Sequence, residues 1–584
     1  MPVAPKCVRL TRTAFLMVAC GLAVSARADL PPAMDRTPAD ALGVMAVRNL
    51  AAFHDRVSQY AEMFAIEIEG SPLEKFEQLL STPGMKKDGS AMIVLLAPAE
   101  GSEEPRAVVV APVSDAKAFA GALNAEGEGV MTAQLEGETV HMKDAGGGYI
   151  AMSPDKELLS GFTLGQNAQA ALKTAMGPTA AKASDRADLV MYFTPAMVES
   201  GFTQSREQIE EQAEMMAEMG GPQAAPAVAL KNAVGMMDEH FKADGQAMVM
   251  TLGVEDLGVV FDIVGQFKEN SPTAQHLQLE GKSGSLSKML PDGNFLFAGS
   301  VDMSSPMVKS WMREAQAGQA AGENLPFKAM MGSLDKMDGV SMAIGLPPAG
   351  LMGGLMTACS GVIKTEDPKG MLNAYKATFE ELNGTEVAAS KIQATYKSEA
   401  VDVGGSKVDS WQIILPMNPD DPNAMQMQQM QMMLFGMAPG PSGLMAAVPE
   451  GIVWTMGNNS LLMNAAMESA KSGKGLAAQE LFGAVHERLP DDRLFEGYLG
   501  VKGLIDMVGP FIAMQTGGAP MTTPDKLSPI GFAGTMNDGA FGMRIVVPRD
   551  VLETISDIMA DMQAEEEMPA DEDAPEGENR PPRF

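Results

Sequence analysis

The sequence predicts an α+β protein of two tandem homologous lobes, each a mainly antiparallel sheet covered by helices. Three observations carry that expectation. Residues 148–159, GYIAMSPDKELL, are matched in kind by residues 451–462, GIVWTMGNNSLL, with a constant offset of 303 residues and no gap. A short apolar strand followed by a polar or proline helix start occurs four times. Hairpins alternate with helices through both halves, the pattern of antiparallel sheets with helices on one face.

The elements follow in order. Segment 42–47, LGVMAV, reads as a strand, and Asn49 is placed to cap a helix over 50–64. The same strand-then-helix phrase recurs at 189–193 before Thr194-Pro195, at 295–301 before 302–306, and at 495–501 before 503–511. Hairpins 91–96/107–113 and 340–345/355–364 each lead into a helix. The Asp-x-Lys pairs Asp115/Lys117 and Asp367/Lys369 stand at those helix starts, where aspartate satisfies free amides and Pro368 has no N–H to waste. A further hairpin, 138–143 with 148–152, is matched to 407–415 with 451–456. The final hairpins, 247–252/258–264 and 530–536/541–547, precede helices opened by Ser271-Pro272 and spanning 549–562. The halves differ in their insertions: helices over 204–219 and 227–241 in the first, and the Met- and Gln-rich segment 418–445 in the second. Domain limits of 37–285 and 286–563 follow, with an acidic tail over 564–584 expected to be disordered.

A formal charge of −32 excludes phosphate-backbone binding, and with it nucleic acid as a partner, while 46% hydrophobic residues suffice for large cores. Residues 1–28 read as a signal peptide. Lys6, Arg9 and Arg12 precede an apolar run over 14–24, and Ala26-Arg27-Ala28 offers a cleavage site; lipidation at Cys20 is the alternative. The mature chain is therefore expected to be exported, periplasmic or extracellular, without a transmembrane span after cleavage. Cleavage leaves Cys359 as the sole cysteine, in an apolar setting that suits an inert thiol.

Catalytic patterns fail on inspection. His54, His141, His240, His276 and His486 are isolated in sequence, without zinc spacing. Gly281-Lys282-Ser283 ends like a phosphate loop but has His276 where its first glycine belongs. Gly146-Gly147-Gly148 lies between strands and is followed by Ala151, not a third dinucleotide-loop glycine. No nucleophile-elbow pattern occurs. Neighbouring carboxylates such as Asp491-Asp492 read as solvated.

Methionine is the anomaly, with 50 in the chain. Met425, Met427, Met430, Met432 and Met433 are candidate thioether ligands for Cu(I), a soft ion that such donors select. Met425, Met430, Met433, Leu434 and Phe435 are the candidate partner contacts, since methionine adapts to varied apolar surfaces. No cofactor is called for.

The export signal, the doubled series and phrases such as PADALGVMAVRNLAAF, VVVAPVSDAKAF and GYIAMSPDKELL resemble uncharacterised families of exported bacterial proteins of unknown function. That resemblance implies no activity and no site residues. The expectation is an exported, non-enzymatic binding or structural protein whose partner is a protein or an apolar small molecule. One alternative is a carrier of an apolar ligand such as a lipid; another is a hydrolase with a site invisible in the sequence.

Overall fold

Several strand segments, among them AMIVLL and LVMYF, are apolar at every position instead of every second one. Such a strand has no face to give to water, so both of its faces must be covered. The computed structural model shows that outcome. It describes residues 29–63, 72–102, 104–135, 137–200, 235, 239–310, 313, 334–347, 350–387, 390–414, 424–516 and 523–567. The expected signal peptide, the helix expected over 204–219, Met427's side chain and residues 568–584 lie outside these.

The strands are β1 Gly43–Val47, β2 Ala91–Leu96, β3 Arg106–Pro112, β4 Val130–Leu135, β5 Glu138–Gly146, β6 Tyr149–Ser153, β7 Leu189–Phe193, β8 Gly245–Glu255 and β9 Gly258–Phe267. They continue as β10 Phe295–Asp302, β11 Gly339–Gly345, β12 Cys359–Lys364, the short β13 Glu386–Val387 and β14 Ser390–Lys391, β15 Gln393–Val403, β16 Ser406–Ile414, β17 Ser442–Val448, β18 Gly451–Met456, β19 Phe495–Leu499, β20 Ile530–Asn537 and β21 Ala540–Pro548. The helices are α1 Leu50–Met63, α2 Pro72–Ser81, α3 Ala116–Ala122, α4 Lys156–Gly161, α5 Ala168–Ser184, α6 Pro272–His276, α7 Pro368–Leu382, α8 Ala424–Phe435, α9 Ser460–Ser472, α10 Glu480–His486, α11 Val501–Thr516 and α12 Arg549–Glu567. Helix α12 runs past residue 562, through the first residues assigned to the tail.

Among the described residues, nineteen strands form one continuous antiparallel sheet. Pair by pair, β4, β5, β6, β3, β2, β1, β7, β8 and β9 lie side by side. Strand β9 then pairs with β21, Gly258 opposite Pro548 through Gln266 opposite Ala540. Beyond that seam come β20, β19, β10, β11, β12, β18, β17, β16 and β15. The two halves of the chain are thus joined through backbone hydrogen bonds, edge to edge.

Covering on one face was expected; both faces are covered. In β1, Val44 and Ala46 enter a core with Leu159 of α4 and Leu172 and Met176 of α5. Their neighbour Val47 enters another with Phe53 of α1, Phe76 of α2 and Phe119 of α3. In the second half, Ile363 and Ile452 pack against Tyr375 and Phe379 of α7, while Val362 and Val453 pack against Met463 and Met467 of α9. Each fully buried side chain of this size is worth about 1.5–3 kcal/mol.

Local signals set the element boundaries. Asn49 Oδ1 accepts from Ala52 N at 3.0 Å at the start of α1. Asp115 Oδ1 accepts from the amides of Lys117 and Ala118, and Asp367 Oδ1 from that of Gly370, so both aspartates cap helices as their positions predict. Asp538 and Gly539, both at positive φ, make the two-residue turn between β20 and β21.

Two assignments need correction. Residues 355–358 form a 3-10 turn and only Cys359–Lys364 is strand. The hairpin partner of β18 is β17, not the segment 407–415, which belongs to β16 one strand further out. Strand β17 lies partly inside the segment read as an insertion.

Candidate functional site

Two places concentrate unusual chemistry. The first lies at the middle of the sheet. Glu496 of β19 faces Ser300 of β10, and the same cross-strand row runs over the seam through Ala533, Arg544 and Asp262 to Thr251. Directly opposed residues share a face, so this is a polar strip inside a mostly apolar layer. Arg544 and Asp262 form an ion pair at 2.7 Å across the seam, and Thr251 Oγ1 donates to Asp262 at 3.1 Å.

Around Glu496 the strip becomes a closed network. Arg493 Nε donates to Glu496 Oε2 at 2.5 Å, Tyr498 Oη donates to the same oxygen at 2.7 Å, and Ser300 Oγ donates to Oε1 at 2.9 Å. His486 Nδ1 lies 2.7 Å from Tyr498 Oη, and its Nε2 lies 2.9 Å from Arg493 Nη2. A neutral ring protonated at Nδ1 donates to the phenol oxygen and accepts from the guanidinium at Nε2. Burial holds the His486 pKa down at about 4, with Arg493 and Lys288 adding to the effect and Glu496 opposing it. At Glu496, burial pushes the pKa up, but Arg493, Ser287, His486 and Tyr498 together bring it below the usual glutamate value. Burial first, then Glu496, pushes the Tyr498 phenol far above the ordinary range.

Reactive-looking groups in one place invite a catalytic reading, but Glu496 and Arg493 are 3% exposed and Tyr498 is 0%. These three groups are enclosed, and each is already paired. The network is a buried anchor, holding the loop that carries Ser283 and Ser287 onto the sheet.

The second place is open. Helix α8 ends at Gly436, whose φ of +63° lets its N–H return to Met432 O at 2.8 Å. The helix end is pressed against Gly354, itself at φ +84°; a Cβ there would lie 2.2 Å from Gly436 N. Two glycines meeting backbone to backbone hold α8 over the turn 355–358. Beside them lies an open cavity of about 330 Å3 lined by the apolar Met356, Phe435, Ala438 and Met456 and by the polar Thr357, Ser442, Asn458 and Asn459.

The predicted residues fall out as follows. Phe435 is half-buried and lines the cavity; Met430 and Leu434 are half-buried. Met425, Met432 and Met433 are 74%, 46% and 50% exposed, and with Gln428 and Gln429 they form one outward stripe of the helix. Among the described residues, none of the copper candidates Met425, Met430, Met432 and Met433 lines the cavity. The methionines that do, Met356 and Met456, were not singled out; the apolar contexts GLMTAC and GIVWTM gave no sign that they share a wall. Cys359 is fully buried, and burial pushes its thiol up to about 12, which makes it unreactive.

The described residues expose nine large hydrophobic side chains, and five of them, Met425, Met432, Met433, Met437 and Leu461, belong to α8, the turn after it, or the helix start just beyond Asn459. From Ala424 to Val448 the chain carries no charged side chain, in a protein of net charge −32. Five of nine exposed large hydrophobic side chains on neighbouring segments are more clustered than ordinary surface scatter.

Comparison with protein-family models, with curated proteins and with solved structures finds no match to this chain. Among the described residues, no group of three or more His, Cys, Asp or Glu is placed to hold a metal ion, and no helix is long and apolar enough to cross a membrane.

Proposed function

We propose that this is an exported, non-catalytic binding protein, built from two copies of one α+β lobe, that takes an apolar partner segment on the outer stripe of α8 and the adjoining cavity. The observation that carries the reading is the gathering of uncharged, exposed apolar side chains around one open cavity in a strongly acidic chain. Methionine suits such a surface, since its flexible thioether re-packs against different partners.

The strand order supports duplication. Outward from the seam, one side reads β9, β8, β7, β1, β2, β3, β6, β5, β4, and the other β21, β20, β19, β10, β11, β12, β18, β17, β16, the same order of appearance within each half, with β15 added at the far edge. The lobe limits of 37–285 and 286–563 put the seam between the last strand of each copy. Export rests on the N-terminal signal alone, and the mature protein then begins at Asp29; N-terminal sequencing of the exported protein that found the chain starting elsewhere would refute cleavage at that site.

Deleting the whole Met-rich segment would cut away the first half of β17, so point changes test the surface better. Full-length protein carrying Met432→Glu and Met433→Glu should fold as the wild type does and lose capture of whatever polypeptide the wild type retains. Equal capture by both proteins sinks the reading. The cavity favours a second reading, carriage of a small apolar ligand, because its volume lies within the usual range for such pockets. Organic extraction of the purified protein followed by mass spectrometry separates the two: a stoichiometric apolar compound supports carriage.

A further inference from the structure

We propose that Met425, Met432, Met433 and Met437 form an oxidation site at which peroxide-class oxidants convert the binding surface from apolar to polar. The switching part of this rests on the contact surface proposed above; the modification itself does not.

Thioether oxidation follows access. Met437 is 99% exposed and Met425 74%, with Met433 and Met432 near half, whereas Met34, Met92, Met142, Met176, Met371 and Met463 are fully buried. Of the five exposed methionines among the described residues, these four occupy a single helix and the turn after it, in a segment with no charge to hold a partner once its apolar character is lost. In the reaction, a sulfur lone pair attacks one peroxide oxygen; an S–O bond forms and the O–O bond breaks. Sulfur loses two electrons to the peroxide, whose other oxygen leaves as hydroxide and takes a proton to become water. The resulting sulfoxide is a polar, chiral group. Burying it at an apolar contact without a hydrogen-bond partner should weaken binding about tenfold or more. Sulfoxide reductases reverse the change, so the surface can be restored.

The site has a built-in control. Met559 on α12 is 49% exposed, the same access as Met433, but it lies on another element. Peptide mass mapping of the full chain after graded hydrogen peroxide should find one added oxygen first on Met437 and Met425, then on Met432, Met433 and Met559, with the fully buried methionines unchanged while the protein remains folded. Early oxidation of Met142 or Met371, or the absence of added oxygen on Met425, Met432, Met433 and Met437, overturns the assignment.

Nile red, a neutral apolar dye, gives a readout that needs no partner. Its fluorescence on the wild type should fall after oxidation and recover with a sulfoxide reductase. A variant with Met425→Leu, Met432→Leu, Met433→Leu and Met437→Leu should bind the dye and resist the loss, although its Met559 still oxidises. Unchanged dye binding by the oxidised wild type overturns the switch. Failure of the unoxidised wild type to retain any partner would instead count against the proposed function and leave the oxidation map intact.

Discussion

The polar network at β19 and the cleft at α8 are both compositional oddities, and the contrast between them separates architecture from surface. At β19, charges sit where water does not reach, each one paired. At α8, apolar side chains sit where water does reach, without cover. A buried ion pair is held by mutual need, because removing one member leaves the other charged and desolvated. An exposed methionine has no such dependence, and its stability cost is near zero whether it is kept or replaced.

Four measurements would break or sharpen that contrast. The largest effect is expected for Arg493→Ala, which strands the Glu496 carboxylate: a loss of about 3–5 kcal/mol in denaturant unfolding. Replacing both partners, Arg493→Met with Glu496→Leu, should cost less than the single change, since no charge is left behind. A loss under about 1 kcal/mol for Arg493→Ala, as for an ordinary surface change, would remove the distinction between the two regions.

His486 comes next. Its folded pKa, about 4, lies below the usual 6.5, so between those values the unfolded chain holds more protons. Stability from this ring is complete above pH 6.5 and declines as the pH falls toward 4. The shift corresponds to at most about 3 kcal/mol, reduced by the water at the ring's exposed edge. Thermal melts of wild type and His486→Gln across that range should converge at the acidic end; parallel curves would show that the ring is not held neutral.

Gly354→Ala acts on the other region. A side chain at φ +84° costs about 1–2 kcal/mol in backbone strain, and its Cβ meets Gly436. Hydrogen exchange should quicken in α8 with little change in β19 and β20. Faster exchange spread evenly over the sheet would mean that the cleft is part of the core. Smallest of all, Met432→Ser should move stability by no more than about 0.5 kcal/mol, measured in the same denaturant assay.

The two regions also differ in how far the sequence disclosed them. The helix starts at Asn49, Asp115 and Asp367 were legible because a capping side chain and its amides lie within three residues. The outer stripe of α8 was legible as a run of methionines. The polar network was not: Glu496 takes one hydrogen bond from a residue 196 positions away, and nothing local distinguishes its FEGYL strand from its neighbours. Strand β17 was missed because Gly, Ala and Pro around Met445 read as a loop, and the tertiary pairing with β16 and β18 overrides that weak local preference. Covering of both sheet faces is written in the unbroken apolar runs of β2 and β7, although hairpins alternating with helices suggested covering on one face alone.

The seam between β9 and β21 has a consequence for synthesis. Strand β9 is complete by Phe267 and pairs on one side with β8, but the strand that takes its other edge begins only at Ala540. Until nearly all of the polypeptide has emerged, a long apolar edge in the first half has no mate, the condition under which strands recruit the wrong neighbour. A nascent chain that stalls before its last hairpin would therefore carry an unprotected template in what becomes the middle of the finished sheet, and productive folding depends on keeping that edge from other chains until the end arrives.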